Sequence, residues 1–399
     1  MPDANTRGAH YGLALAFTIL LPLLSASAAE PELLAREGKG ALYEYDGRLV
    51  AVLAGTPEEM GRQHGAMLGE EAAILIRRGL ALLQPEGLFN WRKLVTPNFA
   101  AARARCEPFI PEDCLREMDA LADSAGLARD EVRLANLLPE LFHCASFAVT
   151  GKATAGGELL HGRVLDFKRM ELLGLYEHSV VFICLPEGKR PFVSIGYTGF
   201  TGVVTGMNAS AISVGAMGGG HRGDWDGMPI SFLVRHILEE ADSLPDVVRM
   251  VEESPRTCEY HFVFADGNTG DAMGLRYTSE TVETTAMGEK HPRLPDPLPD
   301  VVAVSNPSRL RPLMKRIRAR YGAVTPADVR AMMGRPVSKK MNLHCVLFLP
   351  ERLSFQFAHA VGARHTERFQ ACHQPYTTID LAHWLDETRR ALKKNRRLE

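Results

Sequence analysis

The sequence predicts an α+β fold of the αββα type, two stacked sheets with helices on the outside. Three observations lead there. Of 399 residues, 46% are hydrophobic and 24% charged, which suits a large globular core rather than a disordered or fibrous chain. Helical periodicity dominates the stretch before Cys144. From Cys144 onward, β-branched and aromatic runs punctuated by glycine bunch together, give way to helices and return, the pattern of two sheets laid down by one chain.

Taken in order, residues 1–28 read as an export signal. Arg7 and His10 precede the apolar run Tyr11 to Leu24, and Ser25-Ala26-Ser27-Ala28-Ala29 has the small-residue pattern that a signal peptidase reads, with cleavage expected near Ala28. Pro22 and the small residues shorten the run below the roughly 20 apolar residues of a membrane span. No later segment is long and apolar enough to span, so a soluble periplasmic or secreted protein is expected.

A mainly helical segment, 29–143, follows. Leu42 to Leu53 forms a short strand pair around Tyr45-Asp46-Gly47. Thr56-Pro57-Glu58-Glu59 then opens a helix, with an N-cap hydroxyl, proline at N1 and acids in the first turn. Leu115, Met118, Leu121 and Ala122 share a later helical stripe that ends near Gly126. The catalytic region, 144–399, carries strands at Ser179 to Leu185, Phe192 to Gly196, Ala211 to Ala216, His261 to Phe264, Val301 to Val304 and Cys345 to Leu349. Helices are expected over Ile230 to Glu240 and from Thr325, which caps, with Pro326 at N1.

Composition excludes several functions. A formal net charge of -2 gives no basic excess for nucleic acid. The fourteen histidines include no His-Glu-x-x-His or Cys-x-x-Cys pair, so neither a metal nor another cofactor is expected. No Gly-x-Ser-x-Gly elbow is present. Gly218-Gly219-Gly220, near His221 and Asp224, lacks the Lys-Ser/Thr ending of a phosphate loop and reads as a pocket rim. Seven cysteines in an exported chain leave an odd thiol in need of a reason, and Cys144 supplies one, while Cys106 and Cys114 either bridge or stay buried and reduced.

Cys144 sits in a strand, and Gly151 to Gly157 turns into a second strand, Leu159 to Phe167. A four-residue turn at Lys152 to Ala155 pairs residues whose numbers sum to 307, which puts Arg163 directly across from Cys144. A guanidinium beside a thiol favours the thiolate, the nucleophilic form. Asp166 lies three residues beyond Arg163, so an ideal strand sends the two to opposite faces, and both serve one site only if the strand ends or bulges near Leu165.

Cys144 followed by His161-Gly162-Arg163-Val164-Leu165-Asp166-Phe167 resembles the nucleophile strand and the Gly-Arg-x-x-Asp strand of the choloylglycine hydrolase and acid ceramidase superfamily. Upstream, Gly55 to Gly65 resembles the C45 branch, the penicillin acyltransferase-like autoproteolytic hydrolases. Downstream, Thr205-Gly206-Met207-Asn208 with Ile212-Ser213-Val214 resembles the superfamily's Gly-x-Asn turn, and Ser305-Asn306-Pro307 its later asparagine. The resemblance implies an N-terminal-nucleophile fold, a four-layer αββα sandwich with an N-terminal helical segment, and hydrolysis or transfer of linear amides.

By that resemblance the precursor cuts itself between His143 and Cys144, and the freed α-amine of Cys144 acts as general base, its ordinary pKa being about 7.7 to 8.0. Asp166 orients the amine, Arg163 holds the thiolate, and Asn208 and Asn306 donate to the oxyanion. Arg309 is a candidate for the family's second arginine through its proximity to Asn306. Phe147, Phe200, Met207, Met217 and Trp225 are candidates to line an acyl pocket, each with a plain core role as the alternative. The expected substrate is a small acylated amine or N-acyl amino acid, and the α and β chains of one precursor stay associated. His143 before the nucleophile, Ala145 after it and Val164 depart from the family's usual residues. Two other readings remain: a Cys-His thiol hydrolase using His344 or His359 without self-cleavage, and an exported binding protein without catalysis.

Overall fold

A computed structural model describes residues 30–83, 99–137, 143–167, 173–219, 224–291, 296–362 and 368–395. Residues 1–28, read above as an export signal, and His221 lie outside them. The residues from Pro31 to Glu399 form one compact unit, so position 143/144 is not a boundary between separate bodies.

Alternation along the strands builds two sheets. The ten-stranded sheet runs β1 (Glu32–Glu37), β2 (Gly40–Tyr45), β3 (Arg48–Gly55), β6 (Ser179–Pro186), β7 (Phe192–Tyr197), β8 (Thr205–Asn208), β9 (Ile212–Gly218), β10 (Tyr260–Asp266), β11 (Asp271–Tyr277) and β12 (Val282–Ala286). The six-stranded sheet runs β13 (Val301–Val304), β4 (His143–Gly151), β5 (Gly157–Asp166), β14 (Asn342–Leu349), β15 (Ser354–His359) and β16 (Thr377–Asp380). The first three strands, which precede Cys144, join the larger sheet through a parallel pairing of β3 with β6, Leu49 opposite Val180 through Gly55 opposite Pro186. The mainly helical segment before Cys144 thus also supplies three strands to the larger sheet.

Helices cover both outer faces. On the large sheet, Val180, Phe182, Val214, Phe262 and Phe264 pack against α1 (Pro57–Leu83), α2 (Phe99–Cys106), α3 (Glu112–Ala125), α4 (Arg129–Ala135), α5 (Ile230–Glu240) and α6 (Leu244–Glu253). On the small sheet, Ala145, Phe147, Val149, Val164 and Leu347 pack against α7 (Pro307–Arg320) and α8 (Pro326–Met332). Between the sheets lie Val181, Ile183, Ile195, Val346 and Phe348, joined at one edge by Trp384 of α9 (Leu381–Asn395). The four layers are therefore helix, sheet, sheet, helix, as the sequence predicts.

Local chemistry starts and stops these elements as expected. Glu59 N–H donates to Thr56 Oγ1 at 3.3 Å while Thr56 N–H donates to the Glu59 carboxylate at 2.8 Å, a reciprocal cap at the head of α1. Thr325 and Asp328 repeat it at α8. Gly126 ends α3 at φ 66°, a left-handed conformation that glycine adopts without steric cost. All seven cysteines, Cys106 and Cys114 included, are free thiols, and burial pushes Cys114 up to about 12.

Candidate active site

The hairpin that carries Cys144 differs from its predicted register by two residues. Cys144 stands opposite Leu165, Ser146 opposite Arg163 and His143 opposite Asp166, pairs that sum to 309. The turn between Gly151 and Gly157 is one residue longer than the four assumed, and a bulge between Val149 and Gly151 adds the second step. Because side chains alternate with a period of two, a shift of two leaves Arg163 on the same face as Cys144, now diagonal to it.

That face looks into the space between the sheets. Cys144, Ser146 and Ala148 point inward, whereas Ala145, Phe147 and Val149 belong to the outer core under α7 and α8. Arg163 is the largest fully buried side chain described. Its Nε donates to Thr205 Oγ1 at 3.0 Å, and its terminal nitrogens donate to the carbonyls of Val164 and Val204 at 3.0 and 3.4 Å. All three acceptors are neutral. The guanidinium fits because Gly215 of β9 lies beneath it: a Cβ there would come within 2.6 Å of Arg163 Cδ and 2.4 Å of Ser146 Oγ.

Asp166 ends β5 and does not pair with Arg163. Its carboxylate forms an ion pair with Arg309 of α7 and accepts the backbone N–H of Lys339 at 3.1 Å. Arg309 Nη1 also donates to the Val337 carbonyl at 3.2 Å, and its buried Nε has no partner among the described residues. Burial lowers the Arg309 guanidinium, a shift that Cys144 opposes and Arg163 reinforces, so both groups lie within electrostatic reach of Arg309. Ser305 Oγ donates to the Cys144 carbonyl at 3.2 Å, tying β4 to the end of β13.

Around the thiol the walls are apolar. Leu75, Leu165, Phe167, Leu175, Tyr197, Met217, Leu343 and Phe369 cluster with Cys144, and Phe200 packs against that cluster. The other proposed lining residues do not reach it. Phe147 points to the opposite face of β4. Met207 lies in the sandwich core beside Val193 and Phe348. Trp225 lies in the core between the large sheet and its helices. In each case the alternation of the strand, or the layer to which the residue belongs, turns the side chain away.

The oxyanion expectation changes for Asn208. Asn208 spends both amide hydrogens on the Leu238 and Ala241 carbonyls, at 3.1 and 2.8 Å, and its oxygen accepts from the Ser210 and Ile212 N–H groups. It closes a turn and holds the end of α5. Asn306 is exposed at the N-cap of α7, with its side-chain oxygen accepting from Ser308 Oγ at 2.7 Å.

Polar residues to which the sequence assigns no role at this site, Thr205, Tyr197, His161, Ser146 and Ser213, fill the inner site together with His344. Thr205 Oγ1 lies 3.0 Å from His344 Nε2, and His344 Nδ1 lies 3.4 Å from the Tyr197 hydroxyl. Ser146 and Ser213 flank His161, each hydroxyl 2.8 Å from a ring nitrogen. Burial first, and Arg163 second, holds His161 down at about 3 and His344 well below its ordinary range. His344 stands opposite Leu165 and His359 opposite His344, so both imidazoles lie one and two strands beyond the strand next to Cys144. No described imidazole hydrogen-bonds the Cys144 thiol, which removes the support for a Cys-His pair. A strand-face count at Thr205, whose motif is read above for Asn208, is the signal that would have found it. Among the described residues no group of three or more His, Cys, Asp or Glu side chains is arranged to hold a metal.

Residues 174–289 match the family model for acyl-coenzyme A:6-aminopenicillanic acid acyl-transferase. The match includes Tyr197, Thr205 and Asn208 and leaves Cys144, Arg163, Asp166 and Arg309 outside it. Protein dcd1B of Dictyostelium discoideum is 25% identical over 296 residues, 68% of this chain and 59% of that one. The N-acylethanolamine-hydrolyzing acid amidase of Mus musculus is 24% identical over 187 residues, 44% of this chain and 50% of that one. The chain thus spans 59% and 50% of the lengths of these relatives. A solved N-acylethanolamine-hydrolyzing acid amidase ortholog of Caenorhabditis elegans aligns with 52% of this chain and 93% of its own, at 14% identity and a TM-score of 0.42.

Proposed function

We propose that this chain, a relative of the penicillin acyltransferase-like N-terminal-nucleophile hydrolases through residues 174–289, hydrolyses linear amides with Cys144 as nucleophile after cutting itself between His143 and Cys144. The observation that carries this reading is Arg163. A fully buried guanidinium with only neutral oxygens as partners is costly, by several kcal/mol even after relaxation. An anion beside it at work removes that cost, and the inward face of the neighbouring strand offers the Cys144 thiolate.

The sheet also relieves the conflict of faces noted for Asp166. The main-chain nitrogen of residue 144 lies in the plane of the sheet, reachable from either side. Asp166, opposite His143, approaches from the outer face with Arg309, while Arg163 approaches from the inner face. In maturation the Cys144 thiol attacks the His143 carbonyl carbon, the acyl group passes from nitrogen to sulfur, and water hydrolyses the thioester. This leaves a carboxylate on His143 and a free amine on Cys144. In turnover that amine takes the thiol proton as sulfur attacks the substrate carbonyl, and passes it to the leaving amine. Water then releases the acid. The Tyr197 hydroxyl, in the cluster with Cys144, is the donor to the nascent oxyanion in place of the fully occupied Asn208 amide.

The apolar walls around Cys144 favour an acyl chain on the carbonyl side, and an N-acylethanolamine or N-acyl amino acid is the substrate class we propose. Export through residues 1–28 is part of the proposal and rests on their sequence pattern alone. The deciding experiment is the intact mass of wild type and Cys144→Ala under reducing, denaturing conditions. Two wild-type fragments that meet at His143/Cys144, with an uncut variant, are expected. A single uncut wild-type chain sinks the free-amine mechanism.

A further inference from the structure

Thr205, His344 and Tyr197 form a polar line between the two sheets. Thr205 and Tyr197 come from the large sheet, and Arg163 and His344 from the small one, so the line crosses between the sheets. All four are buried. Polar groups in such a place are retained only if each donor and acceptor is matched.

Matching them assigns the hydrogens. Arg163 Nε can only donate, so Thr205 Oγ1 accepts at 3.0 Å. The Thr205 hydroxyl then has one hydrogen to give, and His344 Nε2, 3.0 Å away, is the acceptor. Nε2 is therefore bare and Nδ1 carries the ring hydrogen, which points at the Tyr197 oxygen 3.4 Å away. The two rings lie 14° from parallel with centroids 6.4 Å apart. Tyr197, accepting from His344, keeps its own hydroxyl hydrogen unspent, in the cluster that holds Cys144. In the reverse tautomer the Tyr197 hydroxyl would donate to a bare Nδ1, but Thr205 Oγ1, accepting from both Arg163 Nε and His344 Nε2, would keep a buried hydrogen with no acceptor among the described residues.

We propose that Thr205 and His344 are positioning residues for the Cys144 centre: His344, as the neutral Nδ1–H tautomer, orients Thr205 to hold the Arg163 guanidinium and turns the Tyr197 hydroxyl into a donor at the nucleophile. This rests on the reading of Cys144 given above. The charged and titratable groups facing His344 are Arg163 on β5, Tyr197 on β7 and His359 on β15, and burial first, with the Arg163 cation second, keeps the ring neutral. An imidazolium would turn Nε2 into a second donor at Thr205 and break the line.

Two measurements test it. In wild type, ring nitrogen NMR with the His344 signals assigned by loss in His344→Gln is expected to show Nδ1 protonated and Nε2 bare from about pH 5 to 8, across the ordinary histidine titration. A protonated Nε2 overturns the proposal. For function, Thr205→Val and His344→Phe are expected to lower both kcat on an N-acyl amide and the rate of Cys144 alkylation by iodoacetamide on the order of tenfold or more, with KM within about twofold. Thr205→Ser, which keeps the hydroxyl, is expected to retain both rates, a rescue that a purely packing role for Thr205 would not produce. Unchanged alkylation and kcat in folded Thr205→Val, beside an active wild type, overturn the proposal while leaving Cys144 as nucleophile. A wild-type Cys144 no more reactive than the other thiols overturns the reading of Cys144, and the proposal with it.

Discussion

At the residue scale, hydrogen-bond capacity separates the groups that act from the groups that hold. Asn208 has its amide fully occupied by four backbone partners, so Asn208→Ala is expected to cost roughly 2–3 kcal/mol of unfolding free energy. In protein that remains folded, kcat is expected to change little, and a large loss of kcat at unchanged stability would contradict the turn-holding role. Arg309 is the converse. Its pairing with Asp166 is buried, and Arg309→Met leaves a carboxylate uncompensated, at a cost of about 3 kcal/mol in a urea titration. Self-cleavage is expected to slow or stop in the same variant. Cleavage at the wild-type rate in folded Arg309→Met would show that the pair supports structure alone.

At the element scale the site depends on how closely two strands of opposite sheets approach. Gly215→Ala drives a methyl against Ser146 Oγ and Arg163 Cδ between the sheets, whereas Gly162→Ala drives one into the Phe147 ring on the outer face, 2.5 Å away. Both are overpacking changes of about 1–3 kcal/mol. Activity is expected to separate them: Gly215→Ala moves Arg163 and loses far more turnover than Gly162→Ala at matched stability. Equal turnover in the two would disconnect the Arg163 position from chemistry. The hairpin register belongs to the same scale. A turn longer than assumed and a bulge displaced the pairs from Val149 to His143 by two residues, yet parity was preserved and so was the face.

For the molecule as a whole, the residues before and after Cys144 share one sheet and one buried ion network. β3 pairs with β6, and Glu117 of α3 meets Arg235 of α5 at 2.5 Å, with Glu239 on the other side of the same guanidinium at 2.7 Å. A cut chain is therefore expected to elute as one species in gel filtration and to part only in denaturant. Early separation in native buffer would argue against this shared core. Acid should loosen it. His64, His161 and His359 are held down to about 3, in each case by burial first, with a nearby arginine second. The unfolded chain takes up these protons below about 6.5 and the folded chain does not. Stability is complete above that pH and falls as pH drops toward 3, by about 1.4 kcal/mol per pH unit for each histidine. Glu117, whose carboxyl burial pushes up, works in the opposite sense and offsets part of the loss. Urea midpoints at pH 5 are expected well below those at pH 7.5, and equal midpoints would refute the account.

What the sequence determined by itself are the features written in local spacing: the capped starts of α1 and α8, the glycine end of α3, the alternating strands, the layer order and the Cys144 hairpin with Arg163 on its inner face. Each follows from residues a few positions apart, where backbone geometry and side-chain period leave little choice. Tertiary structure alone decided that Asp166 pairs with Arg309 rather than Arg163, that Asn208 is a structural clasp, that Phe147, Met207 and Trp225 point into other layers, and that Thr205, His344 and Tyr197 meet beside the nucleophile. Those outcomes depend on which strands of two sheets come to lie opposite one another. The long-range partners are separated by 30 to 147 residues along the chain, and no local period relates them.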